Sequence, residues 1–517
     1  MTLDNRLGRT IMLQGTASDV GKSILTTALC RIWVQDGWKV APFKSQNMSL
    51  NSYVTVDGKE IGRAQGMQAD ACRIQATTDM NPILLKPKRD MESQVVVHGV
   101  PFADYDARLY REEFLVGAET IVKESIDRLR RQYEIVVMEG AGSPAEVNLK
   151  DRDIVNMRMA QWADAPVLLV GDIDRGGVFA SIIGTLEILS PEERDRVKGF
   201  IINKFRGDVS LLKPGLDWLE QKTGKPVLGV IPYLRDLNLE EEDSASLHLK
   251  RLDRKPNGRE DVLDIAIIAL PRISNFTDFD PLDKEQDVHL RYIRQPSEWG
   301  NPDAVLLPGS KNTMEDMLYL RESGLDRLIQ RHAEAGKATA GICAGYQILG
   351  ERLLDPDLVE SRELEVAGLG LLPIVTTFSK HKTTVQVTGI ARFGSYEGPI
   401  HGYEIHMGRT EFIRQIEHPF TIQAAGDRPN ETPHLDGAMR NDGQIWGTYI
   451  HGIFHNDGFR RYWLNQLREA KGWSQHPKAY PFLEERDKAF DRLADHVRTH
   501  LDMKRLNQIL LGEEYDV

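Results

Sequence analysis

The string Gly15-Thr-Ala-Ser-Asp-Val-Gly21-Lys22-Ser23 constrains the fold of this chain more than any other feature. It follows an apolar run at 11–14 and precedes a predicted helix at 23–36. That helix carries Ile24, Leu25, Ala28, Leu29, Ile32 and Trp33 on one face, and Gly37 is its stop. A buried strand that turns through glycines straight into a helix is the opening half of a parallel β-α-β unit. Further apolar runs at 39–43, 135–138, 167–170, 200–203 and 227–231, each followed by a glycine or a polar turn, extend the pattern. The expectation is an α/β domain with a mainly parallel sheet.

At 517 residues the chain is too long for a single core. Apolar periodicity lapses at 239–261, which holds the acidic run 240–243 with Pro256 and Gly258, and this stretch reads as a linker. A second α/β region is predicted from strands at 265–269, 304–307, 338–342 and 445–450. Beyond His455 the chain turns charged and helical, at 460–470 and 483–511. The expected boundaries are therefore 1–238, 239–261, 262–458 and 459–517. A formal net charge of −12 argues against a general nucleic-acid binder, since such a surface repels phosphates. Cys30, Cys72 and Cys343 are too few and too scattered for a disulfide framework or a zinc site. With no apolar leader and no run of about 18 apolar residues, the expectation is a cytoplasmic protein with no membrane partner. A homo-oligomer is compatible with the sequence.

A glycine-rich turn ahead of a helix aims backbone N–H groups and the helix dipole at a phosphate. In this string Thr16 and Gly21 belong to the cradle, Lys22 reaches the β- and γ-phosphates, and the Ser23 hydroxyl ligates Mg²⁺. ATP and Mg²⁺ are the implied cofactors. Five residues separate Gly15 from Gly21, one more than in the common pattern. This longer loop resembles that of dethiobiotin synthetase and its relatives, in which the nucleotide activates a carboxylate. The metal needs a second oxygen ligand, and Glu139, in Glu139-Gly-Ala-Gly142 at the end of the strand 135–138, is the candidate. The same resemblance implies that Asn203, at another strand end, reads the adenine. Asp172 and Asp174 either touch metal or substrate or cap the next helix. Between 42 and 89, Lys44, Gln46, Asn47, Arg63 and Lys86 stand among many amides and cations. They suggest a surface for a substrate with several carboxylates or amides, with a solvated face as the alternative.

In the second region, Ala340-Gly341-Ile-Cys343-Ala344-Gly345-Tyr346 follows a strand, with small residues relieving a sharp turn. That is nucleophile-elbow logic with cysteine in place of serine. The strand 445–450 delivers His451 as the base. Backbone N–H groups of Gly309 or Ser310, with that of Ala344, are the oxyanion-hole candidates. His406 lines the same pocket or braces the sheet, and His455 reads as a packed or exposed histidine rather than half of a metal pair.

Together the first region resembles a dethiobiotin-synthetase-type P-loop domain and the second a class I glutamine amidotransferase domain. Longer strings, among them Phe43-Lys-Ser-Gln46-Asn47-Met-Ser-Leu-Asn51-Ser, Glu60-Ile-Gly62-Arg63-Ala-Gln65 and Asp172-Ile-Asp-Arg-Gly-Gly-Val-Phe179, are similar to those of the cobyric acid synthase family along nearly the whole chain. The resemblance implies two α/β domains in that order followed by a C-terminal helical appendage, with ATP, Mg²⁺, glutamine and a corrinoid as ligands. It implies amidation of the b, d, e and g carboxylates of adenosylcobyrinic acid a,c-diamide, with Cys343 as nucleophile and His451 as its partner. Rival readings are the enzyme that amidates the a and c carboxylates, a partitioning-type ATPase with an inactive amidotransferase module, and a dethiobiotin-like ligase with an unrelated glutaminase. Most triad amidotransferases place a glutamate two residues after the histidine. Here that position is Ile453, as in the corrin-amidating branch. The group orienting His451 is thus unnamed, with a backbone carbonyl or a water expected in its place.

Overall fold

Residues 7–89, 92–234, 237, 239, 240, 261–425, 432–440 and 443–513 are described by the computed structural model. Most of the predicted linker at 239–261 lies outside them. The chain divides into two units, one of residues 1–49, 60–239 and 485–517, the other of 50–59 and 240–484.

The first unit is built on β1 (Arg9–Gly15), α1 (Lys22–Gln35), β2 (Val40–Phe43), β3 (Ile135–Glu139), β4 (Val167–Asp172), β5 (Val197–Phe205) and β6 (Val227–Pro232). The six strands form one sheet in the order β6-β5-β4-β1-β3-β2, and every pairing is parallel. Every residue of β2, β3 and β4 is buried. Strands covered on both faces need continuous apolar runs rather than alternation, which is why these were visible in the sequence. The chain adds strands on both sides of β1, so a crevice opens at the carboxyl ends of β1 and its neighbours. A smaller sheet of Gln46–Met48, Ile83–Arg89, Glu92–Val97 and Val100–Asp106 lies in the same unit.

The terminal extension expected at 459–517 is shared between the units. Helix Asp457–Ala470 belongs to the second, and residues from Glu485 onward belong to the first. The single helix expected at 483–511 is two, Phe482–His500 and Met503–Leu511, because the Asp502 carboxylate accepts from the Arg505 N–H (3.0 Å) and starts a new helix. Leu493, Val497, Leu506 and Ile509 share a buried cluster with Ile11, Leu13, Leu25 and Trp33. At roughly 1.5–3 kcal/mol for each large apolar side chain buried, these helices are part of the first unit's core. Wholly buried Arg31 of α1 is neutralised by Asp487 and Asp491 at 2.9 and 2.8 Å.

The second unit holds β7 (Leu263–Ile268), β8 (Val288–Ile293), β9 (Ala304–Leu307), β10 (Ala338–Ile342), β11 (Ala438–Met439) and β12 (Ile445–Thr448). Their order is β8-β7-β9-β10-β12-β11, parallel except for the last pair. A long antiparallel hairpin, Ile374–Phe393 with Tyr396–Phe412, lies in the same unit. Residues 50–59 also belong here: the Ser52 N–H donates to Asn275 Oδ1 (2.8 Å), and Gln386 Nε2 donates to the Val54 carbonyl (2.7 Å). Among the described residues no helix is long and apolar enough to cross a membrane.

Candidate active sites

In the first unit the loop between β1 and α1 turns at the carboxyl edge of the sheet. The Thr16 N–H donates to the Val170 carbonyl of β4 (2.9 Å). Gly21 has φ +96°, and a Cβ there would come within 2.2 Å of Asn203 Nδ2, so the left-handed turn and the approach of Asn203 both require glycine. Asn203 Nδ2 donates to the Val20 carbonyl (2.8 Å), which ties the end of β5 to the loop. Lys22 Nζ donates to the carbonyls of Ala17 and Gly142, each at 3.0 Å.

Ser23 Oγ donates to Glu139 Oε1 (2.8 Å) at the end of β3. Two further donors reach the same carboxylate: Lys44 Nζ at Oε1 (2.8 Å) and Gln68 Nε2 at Oε2 (2.7 Å). Burial alone pushes the Glu139 carboxyl up. The Lys44 ammonium, with hydrogen bonds from Lys44, Gln68 and Ser23, outweighs burial and holds it below the ordinary carboxylate value. An ionised carboxylate beside a hydroxyl is a hard oxygen pair of the kind Mg²⁺ takes. Among the described residues no group of three or more His, Cys, Asp or Glu gathers to hold a metal. Ser23 and Glu139 therefore fit an ion whose remaining ligands are phosphate and water oxygens.

The polar stretch after β2 is more interlocked than its composition suggests. Lys44, expected on substrate, sits on Glu139. Lys86 forms a buried ion pair with Glu60 at 2.5 Å. Asn47 Nδ2 donates to Gln65 Oε1 (3.0 Å), Gln46 accepts from the Tyr110 hydroxyl, and Arg63 opens the buried helix Arg63–Ala71 that also carries Gln68. Asp172 accepts from Lys204 Nζ (2.9 Å) and Asp174 from Arg206 Nε (2.9 Å). Neither aspartate caps the helix Val178–Ile188, whose N-cap is Gly177 with no side-chain hydrogen bond.

In the second unit Cys343 lies between β10 and the helix Ala344–Ile348 at φ +52°, ψ −106°, a sparsely populated conformation for a residue with a side chain. The tight turn forces small neighbours, since a Cβ on Gly345 would lie 2.0 Å from the Leu307 carbonyl oxygen. The Cys343 N–H donates to the Thr448 carbonyl of β12 (2.8 Å), and Sγ is 3.7 Å from the Ile405 carbonyl.

His451, just past β12, is wholly buried. Its Nδ1 is 2.7 Å from Asp278 Oδ2, while Asp278 Oδ1 accepts from the Gly452 N–H (2.9 Å). A carboxylate only accepts, so Nδ1 carries a proton and Nε2 is left for Cys343, the other group acting on the ring's charge. Burial lowers the affinity of the imidazole for a proton. Asp278 and Cys343 outweigh it and raise the pKa to about 10. Tyr403 stacks on the ring at 5.1 Å. The orienting group expected to be a backbone carbonyl or a water is thus the Asp278 carboxylate. No spacing signal pointed to it, because it lies 173 residues before His451.

Gly309 and Ser310 pair antiparallel with Ser274 and Ile273, and a Cβ on Gly309 would lie 3.0 Å from His451 Cε1. Ser310 Oγ donates to Asp316 Oδ2 (2.5 Å), so any contribution of Ser310 to an oxyanion rests on its backbone. Ala344 opens the helix after Cys343, where first-turn N–H groups lack intrahelical partners. His406 stacks on Tyr449 at 3.8 Å and its Nδ1 is 2.8 Å from the Gly408 carbonyl. Tyr449 in turn accepts from Gln347 Nε2 (3.2 Å), on the helix that follows Cys343. His455 lies 3.3 Å from the Thr277 carbonyl and packs on Phe482.

Two family models match the chain. Residues 11–247 match the CobQ/CobB/MinD/ParA nucleotide binding domain, and residues 264–459 match the CobB/CobQ-like glutamine amidotransferase domain. The cobyric acid synthase of Desulforamulus reducens is 53% identical over 514 residues, covering 98% of this chain and 99% of its own. The cobyric acid synthase of a Geobacillus species (strain WCH70) is 52% identical over 499 residues, covering 96% of this chain and 97% of its own. That of Dehalococcoides mccartyi (strain 195) is 51% identical over 512 residues, with 98% and 99% covered.

Proposed function

Since the chain belongs to the cobyric acid synthase family, we propose that it amidates the b, d, e and g side-chain carboxylates of adenosylcobyrinic acid a,c-diamide, consuming one ATP and one glutamine at each. The observation that carries the reading is that one chain holds both an ionised Glu139 against P-loop Ser23 and a buried Asp278–His451 pair behind Cys343.

A carboxylate does not exchange oxygen for nitrogen at neutral pH without a better leaving group. The substrate carboxylate oxygen attacks the γ-phosphorus of ATP, the bond to the β-phosphate oxygen breaks, and an acyl phosphate and ADP result. Mg²⁺, when bound, neutralises charge on the phosphate oxygens. Lys22 exchanges its two carbonyl partners for phosphate oxygens, Ser23 and Glu139 hold the metal, and Lys44 keeps Glu139 ionised while offering a cation beside the transferring group. The amide donors of the loop after β1 orient the nucleotide, with Asn203 at the base.

In the second unit the Cys343 proton rests on His451 Nε2, as the raised affinity of the ring for a proton favours, and the sulfur attacks the glutamine amide carbon. The negative oxygen that develops is met by backbone N–H groups of Ala344 and of Gly309 or Ser310. His451 then gives its proton to the departing nitrogen, releasing NH₃ and leaving a thioester that water hydrolyses to glutamate. Asp278 holds the ring in the tautomer and orientation that both transfers need. The ammonia displaces phosphate from the acyl phosphate and forms the amide.

The experiment is incubation with ATP, Mg²⁺, glutamine and the a,c-diamide, followed by product mass. Successive conversions of acid to amide ending at the fourth are expected. No mass change, with ADP release on some other carboxylate, overturns the substrate assignment.

A further inference from the structure

The segment at 44–60 has an unusual course. Its root is held in the first unit, where Lys44 lies on Glu139, the Lys44 N–H donates to the Met80 carbonyl (2.9 Å) and the Ser49 N–H to the Leu85 carbonyl (3.1 Å). Residues 50–59 then belong to the second unit. There the buried Ser52 N–H donates to Asn275 Oδ1 (2.8 Å), and the Val54 carbonyl accepts from Gln386 (2.7 Å). The Thr55 N–H closes a turn on the Lys59 carbonyl (2.8 Å) before the chain returns to Glu60, which Lys86 holds.

Asn275 connects this strap to the cysteine site. It is 3% exposed and sits at φ +52°, ψ 38° as the N-cap of the short helix Phe276–Phe279. Its carbonyl accepts from the Asp278 N–H (3.0 Å). Asp278 then holds His451 Nδ1 and the Gly452 N–H together. One residue therefore grips the strap with its side chain and the orienting aspartate with its backbone. A 2.7 Å contact to an imidazole is sensitive to sub-ångström displacement of its carboxylate.

We infer that Asn275, clamped by the Ser52 N–H of the strap 50–59, is a positioning residue for the Cys343–His451 pair, acting through Asp278. Ser52 and Asn275 lie in the same unit, so this clamp and the cysteine site share one body. The inference rests on the glutaminase reading of Cys343 given above.

The test measures glutamate release by the full chain, with and without Mg²⁺-ATP and the corrinoid. Asn275→Gly keeps the left-handed backbone accessible while deleting the acceptor, Asn275→Asp keeps both, and Ser52→Pro deletes the donor. Asn275→Gly and Ser52→Pro are each expected to lower kcat about fivefold to tenfold, the scale of one hydrogen bond. KM for glutamine and ammonia-driven synthesis stay unchanged. Asn275→Asp restores most of the rate. Wild-type kcat in Asn275→Gly, with only a lower Tm, overturns the inference and leaves the glutaminase reading intact. A wild-type protein that releases no glutamate under either condition overturns that reading and the inference with it. If Asn275→Gly fails to fold, Ser52→Pro decides by the same kcat criterion.

Discussion

At the P-loop and at the elbow, charge is managed in opposite ways. Around Glu139 the charged and polar groups hold one another: Ser23, Lys44 and Gln68 share one carboxylate, and Lys22 rests on two backbone carbonyls. These are exchangeable partners, suited to a reaction whose ligands bring their own phosphate charge. Around Cys343 the groups are fixed by backbone strain and by a buried carboxylate–imidazole pair beneath Tyr403. A glutamine side-chain amide is neutral, so the charge that attacks it has to be generated and oriented by the protein itself. Sites that receive charge are built from replaceable contacts, and sites that create it are built rigid.

The sharpest way to break this comparison is Cys343→Ala. Glutamine-driven amidation is expected to fall by roughly 10³-fold or more, while ammonia-driven amidation persists. Loss of both in a folded protein would join the two sites into one machinery. Lys22→Ala is the mirror image: synthesis from either nitrogen source drops by roughly 10³-fold, and basal glutamate release continues. Amide formation from ammonia surviving in that variant would remove the P-loop from the chemistry.

Asp278→Asn tests whether the elbow's charge depends on its carboxylate. Glutaminase kcat is expected to fall by roughly 10²–10⁴-fold, with ammonia-driven synthesis unchanged. The pH dependence has a defined sign. The folded-state value for His451 is raised from 6.5 to about 10, so the charged ring favours the folded state fully below 6.5. That contribution is lost as pH rises through about 10. Removing the carboxylate moves the alkaline limb of glutaminase activity toward neutral pH, and an unmoved limb would mean that His451 does not set it.

The smallest effect is expected at Ser190 in the first unit. It forms a capping box with Glu193 at the start of the helix Pro191–Arg196. Ser190→Ala should cost about 1 kcal/mol, read as a lower Tm, with both half-reactions at wild-type rates. A selective loss of synthesis in that variant would mean that fold stability and phosphoryl transfer are not separable in this unit.

Some of this was legible because it is local. The strands β1 to β4 read as apolar runs because parallel strands are buried on both faces, and the loop at 15–23 and the elbow at 343 announce themselves through glycines that tight turns require. The small sheet beginning at Gln46–Met48 was not legible, since its strands carry Lys86, Gln94 and other polar residues that find partners only in the fold. Nor was Gln68, which reaches Glu139 from a helix whose sequence marks it only as polar.

What the sequence determined by itself is the order of two α/β units, the glycine turn at 15–23 between a strand and a helix, and the sharp turn at Cys343 between a strand and a helix. The two turns are written in contiguous residues whose backbone conformation leaves few alternatives. The tertiary structure alone decided that Asp278 orients His451, that Lys44 rests on Glu139, that residues 50–59 serve the second unit and that the last helices serve the first. Those partners are far apart in sequence, and a buried carboxylate or ammonium is specified by what packs around it rather than by its neighbours in the chain.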